Sequence, residues 1–190
     1  MSYLNKDERK KLILDVAKSI ALEEGLNTLT VRHIAAKASL SVGLIHHHFS
    51  SILALKSEVF IQLAYQNLDI DVHDHTMNWQ EKILNILGFI ETQEELSYIR
   101  LWNDAEKISH SSADFSKVYW LAIETWKKQI VSTLQSIKFK NPAEDFDKLA
   151  WQLIGLTLGF ERLAQCNSEL FSFQYMSDLI LQIIEEKVAL

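Results

Sequence analysis

A chain of 190 residues with 48% hydrophobic composition can bury a real core and has room for two small domains. Five glycines and one proline leave few chain breakers, which disfavours a turn-rich sheet protein, and the single cysteine, Cys166, excludes an internal disulfide framework and any multi-cysteine zinc site. The net charge of -6 excludes a uniformly basic nucleic-acid binder, but residues 1–60 hold eight Lys plus Arg against six Asp plus Glu, a net of +2 that leaves -8 for residues 61–190.

From Asp7 to Glu24, Leu12, Ile13, Val16, Ala17, Ile20 and Ala21 recur at helical spacing and predict one buried face, with Gly25 as the C-cap. Thr30 is placed to cap a short helix over Val31–Ala38, with Val31, Ile34, Ala35 and Ala38 inward. Ser39-Leu40-Ser41 interrupts it, and Ser41 caps a third helix from Val42 to about Phe49. A fourth starts after Ser50-Ser51 and runs to about Asp69. The polar stretch 71–76 lacks periodicity and reads as a loop; its His73 and His75 have no third ligand in view and read as solvated. Further helices are expected at about 79–90, 92–109, 114–136, 143–166 and 172–187, with Pro142 in the first turn of the fourth of these.

No stretch approaches about 18 uninterrupted apolar residues, and MSYLNKDERKK has no apolar core of a secretory signal, so a cytoplasmic protein without membrane association is expected. No Gly-rich phosphate loop, nucleophile elbow or metal-ligand motif is present, which argues against an enzyme and calls for no cofactor. His46, His47 and His48 are adjacent, and successive helical residues point about 100° apart, so three such rings cannot converge on one metal ion.

Two short helices joined by a tight turn, the second entered by a small polar cap, form the geometry that lays a recognition helix in the major groove of DNA. The run from Leu29 to Phe49 carries a capping Thr, an Ile34-Ala35 core pair, a short turn and a closing His48-Phe49, and in this it resembles the TetR family of transcriptional regulators. The resemblance implies an all-α protein with an N-terminal three-helix helix-turn-helix DNA-binding domain, residues 1–52, and a C-terminal helical effector-binding and dimerisation domain, residues 53–190. It places Thr30, Arg32, Ser41, Val42, Gly43, Leu44, His46 and His47 on the DNA side, with Lys56 and the arm residues Lys6, Arg9, Lys10 and Lys11 at phosphate. Leu40, Ile45 and Phe49 fall on the packing side. Ser39 stands where the family often has Gly, Ile52 where a Lys usually opens the fourth helix, and His46 and His47 replace aromatics. Val42, Gly43 and Leu44 offer no side-chain hydrogen bonds, so Arg32 is the candidate for a guanine edge. Histidines near phosphate are expected to raise DNA affinity as pH falls from about 8 to 6.

The expected helix near 143–166 carries Leu149, Leu153, Leu156, Phe160 and Leu163 on one stripe, with Ala150, Ile154, Thr157, Leu158 and Glu161 beside it. Gly155 and Gly159 remove bulk four residues apart, and the last helix repeats the pattern through Met176, Leu179, Ile180, Ile183 and Ile184. By the family resemblance, Leu153, Gly155, Leu156, Gly159, Phe160, Met176, Leu179, Ile180 and Ile183 are candidates for a homodimer interface. Two heads related by a two-fold axis call for a palindromic double-stranded operator.

Phe89, Tyr98, Trp102, Phe115, Tyr119, Trp120 and Trp126 recur at helical spacing and read mostly as core. The sharper expectation is an effector pocket with Phe89, Tyr98, Trp102, Glu106, Tyr119 and Trp120, in which a carboxylate beside an indole suits a cation. The C-terminal half also resembles, more diffusely, the choline-responsive BetI regulators. The function implied is a one-component regulator, a repressor released by a small-molecule effector; the alternative is a helical interaction protein that kept the fold and lost specific DNA binding.

Overall fold

The structure, a computed structural model, describes residues 5–68, 76–89 and 92–189. Its described elements are helices: α1 Lys6–Glu24, a 3-10 turn Leu26–Thr28, α2 Val31–Ala38, α3 Val42–His48, α4 Ile52–Leu68, α5 Trp79–Ile86, α6 Gln93–Ser111, α7 Ala113–Gln135, α8 Phe146–Cys166 and α9 Phe173–Glu185. The expected loop at 71–76, with His73 and His75, lies outside the described residues except for Thr76.

Local chemistry sets most of the ends. Asn5 and Glu8 close a capping box at α1, and Asn78 and Glu81 do the same at α5. Thr30 accepts from the His33 backbone N–H and Ser41 from that of Leu44. Two expected ends are corrected. Helix α5 stops at Ile86 rather than near 90, because Gly88 turns left-handed at φ 76° and the Phe89 N–H folds back onto the Leu84 carbonyl at 2.8 Å. Pro142 is not in the first turn of α8: Asn141 closes a short turn over it by accepting from the Ala143 N–H, and Asp145 is the N-cap.

The chain divides into two compact units. One takes in the described residues of Met1–Asn67 with Leu96–Ala122; the other takes in those of Leu68–Glu95 with Ile123–Leu190. In the first, Ile13, Ala17, Ile20 and Ala21 of α1 meet Ile34 of α2, Ile45 of α3, and Leu55, Val59 and Phe60 of α4. Phe60 is fully buried, with ring centroids of Trp102, Phe115 and Tyr119 at 5.3, 5.7 and 6.0 Å. Short helices such as α2 and α3 are marginal alone, so this shared core holds the head together.

In the second unit, Ile83 and Ile86 of α5, Trp126 and Ile130 of α7, Leu149, Leu153 and Ile154 of α8, and Met176, Ile180 and Ile184 of α9 are buried. The Trp126 indole N–H donates to the Ile86 carbonyl at 2.6 Å. Past α9, the backbone is stitched to the α7–α8 connection: Lys140 N–H to Lys187 O at 2.8 Å, Ala189 N–H to Lys138 O at 2.9 Å, with Phe139 bridged to Val188.

Ser39, at φ 54° and ψ 41°, ends α2 in the left-handed region that a side chain disfavours. Ser39→Gly is expected to stabilise the protein by about 0.5–1 kcal/mol, the relief of that strain less the backbone entropy that glycine adds. Urea denaturation reads this, and a glycine variant less stable than the parent would show that the serine hydroxyl outweighs the strain.

Candidate nucleic-acid interface

The turn from Ser39 to Ser41 sets α3 after α2, with Ile45 and Phe49 buried and Leu40 half-buried beneath. Packing those residues inward turns the others out. Thr30, Arg32, Ser41, Val42, Gly43, His46 and His47 are all exposed, and Leu44 is half-buried. Every residue expected on the DNA side except Lys56 therefore lies at least half-open on α2, α3 or their caps. A Cβ built on Gly43 meets nothing within 4 Å, so the start of α3 is clear for close approach.

Lys56 is placed differently. Its ammonium is partly buried and donates to the Asn27 carbonyl at 3.2 Å, and burial lowers its basicity while Asp104 raises it. It braces the α1–α2 corner. Ile52, where a lysine was missing, packs part-buried against the core as the first residue of α4. Among the arm cations, Lys10 pairs with Glu58 at 2.8 Å and its ammonium lies 5.5 Å from the centre of the Phe49 ring, while Lys6 and Lys11 are exposed. Lys37 is occupied by Glu23 at 2.7 Å.

His48 is distinct from its neighbours. Its Nε2 is buried with no hydrogen-bond partner, and burial, reinforced by His47, Lys6, Arg9 and Lys10, holds its pKa below the ordinary imidazole value. The fold thus prefers neutral His48. Stability is fully present above about pH 6.5, the unfolded value, and is lost as pH falls through the lowered folded value. The melting temperature is expected to drop between pH 7.5 and 5.5, and His48→Gln to flatten the drop; an unchanged slope would assign the loss to other groups.

Of the corner at the end of α1, the sequence reading singled out Gly25 alone, as a C-cap. Gly25 has φ 102° and ψ 152°, a conformation open to glycine. From α6, Arg100 donates to the Leu22 carbonyl and, at 3.0 Å, to that of Glu23, capping the open end of α1. Asp104 accepts from the Asn27 backbone N–H at 3.1 Å and from its side-chain amide at 2.7 Å.

The aromatics expected around an effector are divided between the two units. Tyr98 is buried in the core that holds Phe60, where Trp102 and Tyr119 meet edge to face at 6.1 Å and the Trp102 indole donates to Asn67 at 3.2 Å. Glu106 lies 3.9 Å from His110, and Trp120 is 52% exposed. Phe89 belongs to the other unit, against Phe173. Tyr98 is buried in the core of the first unit, and Trp102 and Tyr119 pack part-buried against it.

Of the expected interface residues, Leu153, Met176 and Ile180 are buried in the core of their own unit. Gly155 is exposed, and Leu156, Gly159, Phe160, Leu179 and Ile183 are half-exposed. A Cβ at Gly155 or Gly159 would meet nothing within 4 Å. Trp151, Leu163 and Tyr175 extend this apolar surface at 39, 45 and 44% exposure.

Residues 13–59 match the family described as bacterial regulatory proteins, tetR family. The HTH-type transcriptional regulator PksA of Bacillus subtilis (strain 168) is 23% identical over 188 residues, which span 96% of this chain and 91% of that protein. Among solved structures, a transcriptional regulator from Saccharomonospora viridis in complex with choline aligns over 96% of this chain and 98% of its own, with a TM-score of 0.71 and 20% identity. The TetR-family regulator from Cytophaga hutchinsonii aligns over the whole of both chains, with a TM-score of 0.72 and 16% identity.

Proposed function

We propose, for a chain that belongs to the tetR family of bacterial regulatory proteins, that it is a one-component repressor: as a homodimer it grips a palindromic operator with α3, and a small-molecule effector releases it. The observation that carries this reading is the α2–turn–α3 face. Arg32, Ser41, Val42, Gly43, His46 and His47 stand open on it above a core that fixes their spacing. Arg32 supplies base contact, Thr30 and the helix caps meet phosphate, and Val42 and Gly43 allow close groove approach. The reading divides labour between a DNA-binding head, residues 1–52, and an effector-binding and dimerisation part, residues 53–190. The apolar strip around Gly155, Leu156, Gly159 and Phe160 supports the dimer, and the choline bound by the Saccharomonospora viridis protein supports effector sensing.

The test is a gel-shift with DNA selected from a random pool. A regulator binds one sequence at least about a thousandfold better than random DNA, with affinity falling as salt rises. The inward turn of Lys56 and the loss of a lysine at Ile52 favour a second reading, a helical interaction protein without specific DNA binding. Equal weak binding to every sequence would select it.

A further inference from the structure

Helix α3 opens on residues that do little for the helix itself. Val42 is 40% exposed, whereas Leu40, two residues earlier, packs against the core. Valine and glycine are both poor helix formers, and a seven-residue helix has no propensity to spare. A leucine or glutamate at 42 and an alanine at 43 would serve the helix better, and a Cβ at Gly43 would meet nothing within 4 Å. Neither residue is explained by the fold. Local choices that weaken an element without a gain in packing mark positions set by function.

The hydrogen-bonding chemistry around Val42 narrows that function. Ser41 accepts from the Leu44 backbone N–H at 3.2 Å, which commits its oxygen to the cap. Gly43 and Leu44 carry no polar side-chain atom, and the exposed polar groups of Arg32, His46 and His47 belong to α2 and to the next turn of α3. Residues in the first turn of a recognition helix meet base edges in the major groove. Donors and acceptors line that groove, and thymine alone among the four bases adds a 5-methyl group. An exposed branched aliphatic side chain gains only from the methyl.

We infer that Val42 packs on the 5-methyl group of a thymine in the operator and is the residue that makes each half-site require thymine there, with Gly43 beside it leaving room for the approach. This rests on the reading of the chain as an operator-binding regulator and names the base chemistry that its recognition helix selects. The γ-methyls of Val42 and the thymine methyl leave water together, a gain that cytosine, adenine and guanine cannot return. Valine brings this surface at small entropic cost, because a β-branched side chain in a helix is already confined to one preferred χ1 rotamer. Removing the thymine methyl from the contact is expected to weaken binding about fourfold for one half-site and about fifteenfold for both.

The test uses the full chain and the operator selected from a random pool, resynthesised with deoxyuridine in place of one thymidine at a time. Deoxyuridine lacks only the 5-methyl group and pairs as thymidine does. One position in each half-site is expected to show the loss. Val42→Ala is expected to weaken binding to the thymidine operator to a similar degree and to become indifferent to deoxyuridine at that position. Its melting temperature is expected to hold or rise, because alanine is the better helix former. A folded Val42→Ala protein that still discriminates thymidine from deoxyuridine there would overturn the inference. Specific binding to an operator in which no deoxyuridine matters ends this inference alone, whereas equal weak binding to every sequence ends the regulator reading and the inference with it.

Discussion

Gly25→Ala is expected to lower stability by about 2–3 kcal/mol, read as a fall in melting temperature of roughly 5–10 °C. Two effects add. A φ of 102° with ψ of 152° is a backbone shape that an L side chain enters only under strain. The new Cβ would also stand 2.9 Å from Oδ2 of Asp104, and that oxygen cannot retreat without giving up the Asn27 N–H. Asp104→Ala removes the obstruction but leaves the Asn27 donors without their carboxylate, at a cost of about 1.5–3 kcal/mol. Because the two changes share one contact, the double variant is expected to lose less than the sum of the singles. A Gly25→Ala protein that melts with the parent would show that the corner relaxes freely.

Gly43→Asp separates folding from DNA binding. The position is in the first turn of α3, with open space around its Cβ. An aspartate there gains helix propensity over glycine and interacts favourably with the helix N-terminus, so stability is expected to hold or to rise by about 0.5–1 kcal/mol. On the proposed DNA face the same carboxylate confronts phosphate, a like-charge contact that costs about 2–3 kcal/mol, so operator affinity should fall by roughly 30- to 150-fold. Paired melting and gel-shift measurements check both halves. A variant that binds its operator as tightly as the parent would take the start of α3 off the DNA.

The first three helices were legible because their boundaries are written in adjacent residues. Thr30 caps α2, Ser41 caps α3, and both caps are made as the residue types suggest. Helix α5 ran short of its expected end because Phe89 continued an apolar rhythm that hid the break at Gly88. The start of α8 was misplaced because proline is common in first turns, whereas Asp145, three residues on, offered the better cap. The aromatic residues illustrate a deeper limit. Helical spacing says which face of a helix is apolar, not which neighbour it meets, so Phe89 and Trp102 looked like companions although they serve different cores. The Asn27–Asp104 contact joins residues 77 positions apart. No local pattern could announce it, and the lone clue was a glycine at residue 25, which a C-cap already explained.

The backbone stitching of Lys187, Val188 and Ala189 to Lys138–Lys140 gives the second unit an internal reporter. The Lys140 and Ala189 amides are held across segments about fifty residues apart, so their hydrogens exchange with solvent only when the turn after α7 and the strand-like stretch after α9 separate.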